Sequence, residues 1–192
     1  MNIIGITGTL GAGKGTIVDY LTKNFGYIHF SVRNYLIEVI KGKGGEPNRD
    51  SFVTTANELR EKNGASFIID ELYNKALKTN SNCIIESIRT VGEIESLRKK
   101  GNFILFAVDA DIKLRYSRIT ERASETDKIN LETFIENENR EMHSTDPNMQ
   151  NLSACMSLAD FSFLNNGKVD ELYLNVDNVM KFLNNHKQNE PK

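Results

Sequence analysis

The sequence predicts an α/β fold: a central parallel sheet of about five strands with helices on both faces. Two observations predict it. Short apolar runs alternate with longer runs of helical periodicity along most of the chain, the pattern of strands joined by helical crossovers. The first apolar run is also followed at once by a Gly-rich turn that opens an amphipathic segment, a strand–loop–helix unit.

The elements follow in order. Residues 2–7 (NIIGIT) read as a strand, then a Gly-rich stretch, then a helix through Tyr20 and Leu21. Residues 27–31 (YIHFS) read as a second short strand. Residues 32–41 are helical, with Val32, Tyr35, Leu36, Val39 and Ile40 on one face. Residues 41–47 (KGKGGEP) form a turn or mobile loop. Helical periodicity from 52 to 78 breaks at Asn63-Gly64 and gives two helices. A buried-type strand at 82–86 (NCIIE) precedes a helix at 91–100, and residues 102–108 (NFILFAV) form the next strand. Helices follow at 111–122 and 131–142, around a polar loop at 123–130. Asp146-Pro147 breaks the chain before a helix at 152–158. Residues 160–164 (DFSFL) are the last short strand, Asn165-Asn166-Gly167 a turn, and 169–183 a helix. The tail 184–192 is polar and expected to fray.

A length of 192 residues fits a single domain. Two segments exceed a simple crossover, about 32–80 and about 122–151, and read as helical excursions from the core. With 39% apolar and 26% charged residues the composition is that of a globular chain. The formal charge of −2 argues against a nucleic-acid-wrapping surface. No apolar run reaches the roughly 18 residues of a membrane span. The N-terminus has no basic leader, and Cys83 and Cys155 lack CxxC spacing, so a reduced, cytoplasmic protein without a zinc site is expected.

The sharpest motif is Gly8-Thr9-Leu10-Gly11-Ala12-Gly13-Lys14-Gly15-Thr16. Glycines let the backbone curl so that its N–H groups converge on phosphate oxygens. The helix N-terminus adds partial positive charge, and Lys14 a full one for the β- and γ-phosphates. The residue after Lys14 is Gly15 and not the usual Ser or Thr. The hydroxyl comes one place later, at Thr16, so a Mg²⁺ ion is expected to be held mainly by phosphates and water.

GxxGxGKGT resembles the loop of adenylate kinase and other nucleoside monophosphate kinases of the P-loop NTP hydrolase fold. Other segments are similar to that superfamily in order. Glu86-Ser87-Ile88-Arg89-Thr90 resembles its Asp-Gly-x-Pro-Arg-Thr segment. Ser31-Val32-Arg33-Asn34-Tyr35-Leu36 sits where those kinases carry Ser-Thr-Gly-Asp-x-Leu. Arg118-Ile119-Thr120-Glu121-Arg122 resembles the Arg-x-x-x-Arg that leads into their lid. Asn166-Gly167, after the last strand, is similar to the base-side loop of dephospho-CoA kinases. The pattern also resembles kinase-like domains found beside deoxycytidylate deaminase domains, without the deaminase signature.

The resemblance implies a single kinase domain, with an acceptor-binding insertion at about 32–80 and a short lid at about 122–151. It implies an ATP and Mg²⁺ site on Gly8, Gly11, Ala12, Gly13, Lys14, Gly15 and Thr16, with Glu86 beside Thr16 for the metal and Asp109 as its rival. Asp109 and Asp111 also read as helix caps. Arg89 is the expected clamp on an acceptor phosphate, since guanidinium presents paired donors. Arg118 is expected on the donor base with Asn166 and Gly167, and Arg122 and Arg140 over its phosphates. Ser31, Arg33, Asn34, Asn57 and Arg60 are candidates for the acceptor pocket. Arg115 reads as a face residue with carboxylate partners, and His29, His143 and His186 form no constellation.

The reaction so implied is transfer of the γ-phosphoryl group of ATP to a small phosphate-bearing acceptor, with a (deoxy)nucleoside monophosphate favoured and dephospho-CoA the alternative. A module that binds ATP and signals without an acceptor is the reading from a different class. The oligomeric state is not readable from the sequence.

Overall fold

The computed structural model describes residues 1–122 and 129–187. Strands β1 (Ile3–Gly8), β2 (Ile28–Ser31), β3 (Cys83–Glu86), β4 (Phe103–Asp109) and β5 (Phe161–Leu164) form one sheet in the order β2-β3-β1-β4-β5. Every pairing is parallel, with Ile6 opposite both Glu86 and Phe106. Among the described residues the helices are α1 (Lys14–Phe25), α2 (Val32–Gly42), α3 (Arg49–Asn63), α4 (Phe67–Leu77), α5 (Val91–Lys99), α6 (Ile112–Arg122), α7 (Leu131–Met142), α8 (Leu152–Ser157) and α9 (Val169–Lys187).

The sheet is buried on both faces because its strands are apolar on both. Ile3, Ile85 and Leu105 face a core layer completed by Leu36, Ile68, Ile69, Leu72, Ile94 and Leu97 from α2, α4 and α5. Ile4, Ile6, Ile84 and Phe106 face a second layer, completed by Ile17 and Leu21 of α1 and Leu172, Val176 and Met180 of α9. Alternate residues along each strand thus serve opposite cores.

Two boundaries differ from the expectation. Helix α4 lies inside the stretch expected to stand away from the core, yet it packs on β2 and β3 with Ile68 and Ile69 fully buried. Its apolar positions are spaced for a sheet face, so the projecting part of the first excursion is α2 and α3. Helix α9 runs on to Lys187, into the polar stretch expected to fray. Of the loop expected at 123–130, residues 123–128 lie outside the described residues, as does the tail beyond 187.

β1 lies between β3 and β4, and its crossover through α1 leads to β2 beyond β3. Such a switch in direction opens a crevice at the carboxyl ends of the strands. The turns that follow β1 and β3 line it.

Candidate active site

The loop between β1 and α1 is shaped by glycines where other residues would clash. At Gly8, with φ 134°, a Cβ would lie 2.0 Å from the Val108 carbonyl. At Gly13, with φ 105°, it would lie 2.3 Å from Asn165 Nδ2. Gly13 caps α1 in the left-handed conformation, no side chain caps that helix, and its first turn holds no acid. Its leading N–H groups and their partial charge therefore face the crevice.

Lys14 Nζ folds back on the loop, donating to the carbonyls of Gly8 and Thr9 at 2.9 and 2.8 Å. Burial and the nearby Arg89 charge, against the opposing pull of Glu86 and Glu141, lower its pKa from 10.5 to about 8. An anion at the loop would relieve this strain on the ammonium charge.

A cleft of about 620 Å³ opens over the loop. Its lining includes Gly11, Gly13, Lys14, Gly15 and Thr16 on one side, Ser31, Arg33 and Arg60 on the other, and Glu86, Arg89, Arg118 and Arg122 between. Ala12 is buried just beneath, its carbonyl taken by Asn165 Nδ2 at 2.8 Å. These sequence-predicted residues thus come from five separate segments to one place.

Glu86 ends β3 and meets His29 Nε2 at 3.2 Å. Burial pushes its carboxyl up, but the His29 hydrogen bond and the charges of Lys14 and Arg89 prevail and hold it below the ordinary 4.5. An ionised carboxylate and the Thr16 hydroxyl on one cleft are hard oxygen donors that fit Mg²⁺, which takes one or two carboxylates together with phosphate oxygens. The rival Asp109 accepts from Thr9 Oγ1 at 2.6 Å and from the Ala110 N–H at 2.8 Å, which ties it to the loop's own framework. Asp111 accepts from the Lys113 N–H at 2.9 Å, in the first turn of α6.

Ser87 sits at φ 73° and lines the cleft. Arg89 follows it. Its Nη1 donates to Glu141 and, at 3.0 Å, to Gln150 Oε1. Glu141 also receives Arg49 at 2.7 Å. Burial raises the Glu141 carboxyl, and the charges of Arg89 and Arg49 overcome that and hold it low. Arg118 Nη2 donates to the Asn165 carbonyl at 2.9 Å, while its Nη1 is buried without a hydrogen-bond partner among the described residues.

Five sequence candidates are not brought into the cleft. Arg140 is exposed and reaches Asp50 and Asn137, each at 3.4 Å; Phe134, Glu138 and Glu141 are the residues that α7 turns inward. Asn34 is exposed on α2, its backbone N–H donating to the capping Ser31 hydroxyl at 3.2 Å. Asn166 accepts from the Asp111 N–H at 2.8 Å, and Gly167 packs beside Glu171. Asn57 lines a separate hollow of about 270 Å³ behind the cleft.

Sequence reasoning missed Glu93, Glu141, Gln150, Asn165 and Arg49. Thr90-x-x-Glu93 is a capping box before an apolar run, a readable signal. The spacing of Phe134, Glu138 and Glu141 marks one helical face, which could have found Glu141. Arg49 and Gln150 carry no local signal.

The parallel sheet, its strand order and the glycine loop define this chain as a protein of the P-loop kinase fold. It belongs to the AAA domain family, which it matches over residues 4–146. It is similar to a UPF0200 protein of Methanocaldococcus jannaschii, 29% identical over 189 residues that cover 96% of this chain and 92% of that one. A UPF0200 protein of Methanococcus maripaludis strain C6 is 28% identical, covering 94% and 97% respectively. Among solved structures, a sugar kinase from a Janibacter species superposes with a TM-score of 0.55 at 12% identity, over 96% of this chain and 95% of that one. A shikimate kinase from Bacteroides thetaiotaomicron gives 0.51 at 11%, over 94% and 98%.

Proposed function

We propose that the protein transfers the γ-phosphoryl group of ATP to a small phosphate-bearing acceptor, with a nucleoside monophosphate the favoured class. The observation that carries this reading is the meeting of Lys14 and the glycine loop with Arg89 and Glu86 around one cleft. In it, the loop N–H groups and Lys14 hold the donor's phosphates. Arg89 holds the acceptor phosphate from the neighbouring strand, on the far side of the group in transit. Arg118, which lines the cleft and has a buried donor unpaired among the described residues, meets the donor nucleotide, and Arg122 at the end of α6 covers its phosphates.

Thr16 and Glu86 are the residues that would hold Mg²⁺, which would supply charge neutralisation on the transferring group. His29 keeps Glu86 oriented and ionised. No covalent enzyme intermediate is required, because positioned cations and excluded water account for catalysis of this kind.

The test is an ADP-release screen over nucleoside monophosphates and dephospho-CoA, each with ATP and Mg²⁺. ADP should form rapidly only when one of the monophosphates is added. Release with dephospho-CoA alone would move the acceptor class, and ATP binding with no acceptor-dependent ADP would favour a sensing module.

A further inference from the structure

The acceptor side of the cleft holds a donor that the transfer itself does not use. Arg60 of α3 is wholly buried. Its Nε and Nη2 both donate to Glu93 Oε1, at 3.1 and 2.9 Å. The other Glu93 oxygen accepts the N–H groups of Arg89 and Thr90, at 2.7 and 3.1 Å. Glu93 thus holds Arg60 in one geometry, next to the turn that carries Arg89. Among the described residues Arg60 Nη1 is left buried with no hydrogen-bond partner, on a residue that lines the cleft. On α2 and α3 the lining includes the apolar Leu36, Val53 and Ala56, together with the cations Arg33 and Arg49.

An orphaned donor in such a wall is costly until a ligand meets it. Because Glu93 already balances the guanidinium charge, a phosphate gains little at Nη1. A neutral acceptor atom on a flat, largely apolar body gains the most. We infer that Arg60 selects the acceptor: Nη1 donates to an oxo group on a planar ring lying against Leu36, Val53 and Ala56. This rests on the phosphate-acceptor reading above and narrows it to nucleobases that carry oxo rather than amino at the ring position facing Nη1, as hypoxanthine and uracil do and adenine and cytosine do not. An amino group in the same place would set N–H against N–H and leave both unpaired.

The test is calorimetric binding of matched monophosphates that differ at one substituent: inosine against adenosine, and uridine against cytidine. In the pair whose ring size the cleft accepts, the oxo form should bind at least about tenfold more tightly. Equal binding within both pairs, or tighter binding of the amino forms, overturns the inference while leaving the transfer reading intact. If ATP binds and none of the four does, the acceptor reading falls and this inference with it. Arg60→Lys keeps a cation against Glu93 but has no spare fork, so the oxo-to-amino ratio should fall towards one. A purely structural Arg60 would weaken all four ligands together and leave the ratio unchanged, which would also overturn the inference. Should Arg60→Lys fail to fold, the ratios on the unaltered protein decide.

Discussion

At the scale of single residues, Lys14 is the most exposed to test. Its ammonium balances charge growing on the β–γ bridge, and one such contact is typically worth about 10²- to 10³-fold in rate. Lys14→Ala should therefore keep the fold and lose transfer by that factor, read by circular dichroism and ADP release. Its lowered pKa has two consequences. Between about 8 and the ordinary 10.5 the unfolded chain holds more proton than the folded one, so through this group stability rises with pH across that window. Phosphates at the loop favour the protonated form, so ATP affinity should fall as pH climbs past about 8, with proton uptake seen by calorimetry in two buffers. Lys14→Arg should flatten that dependence, and an affinity unchanged by pH in the unaltered protein would contradict the assignment. Arg89 poses a different question, because its fork is matched to a phosphate and lysine does not reproduce it. Arg89→Lys should raise the acceptor KM at least about tenfold while ATP affinity moves little. A collapse of ATP binding with acceptor binding spared would mean that the two sides are exchanged.

At the scale of elements, α7 is held to the core by charge more than by apolar area. Glu138 takes Arg115, whose guanidinium also donates to the Ala110 and Leu10 carbonyls and so ties the helix to the phosphate loop. Glu141 takes Arg89 and Arg49. Removing one member strands a buried cation, so Glu138→Ala should cost about 3 to 5 kcal/mol in denaturant unfolding. Arg115→Met with Glu138→Leu should cost far less; equal losses would assign the effect to packing. Acid should loosen the same helix. Glu141 titrates below 4.5 when folded, so its stabilisation is present above that value and is lost as pH falls beneath it. Hydrogen exchange of residues 131–142 should rise over that range ahead of the sheet.

At the scale of the whole molecule, the two core layers hold the sheet as a frame, and the walls of the cleft are attached at its carboxyl edge. Helices α2 and α3 form one wall of the cleft, and α6 with α7 the other. The turn at residues 41–46 is exposed, with Gly44 at φ 77°. A bisubstrate analogue spanning donor and acceptor sites should slow hydrogen exchange at 41–47 and in α7 while the strands stay as they were. Unchanged exchange at both would speak against closure. Among the described residues no helix is long and apolar enough to cross a membrane.

Element type, the parallel character of the sheet and the phosphate loop were legible in the sequence because their causes are local. The alternation of apolar runs decides strand against helix within a few residues, and the glycine spacing of residues 8–15 marks the turn in one short window, although the atoms that crowd Gly8 and Gly13 belong to Val108 and Asn165. Arg89 and Glu86 could be found because they end a strand, and strand ends face the crevice. Only the tertiary structure decided which charges meet. Arg60 was one candidate among several helix residues until docking of α3 set it against Glu93, 33 positions away. The same holds for Arg140 and Glu141, adjacent in sequence and opposite in fate. Helical spacing puts Glu141 on the Phe134 face of α7, but that this face meets Arg115 and Arg89 depends on how α7 docks. That choice is made by packing between segments far apart in the chain, and no window along the sequence contains both partners.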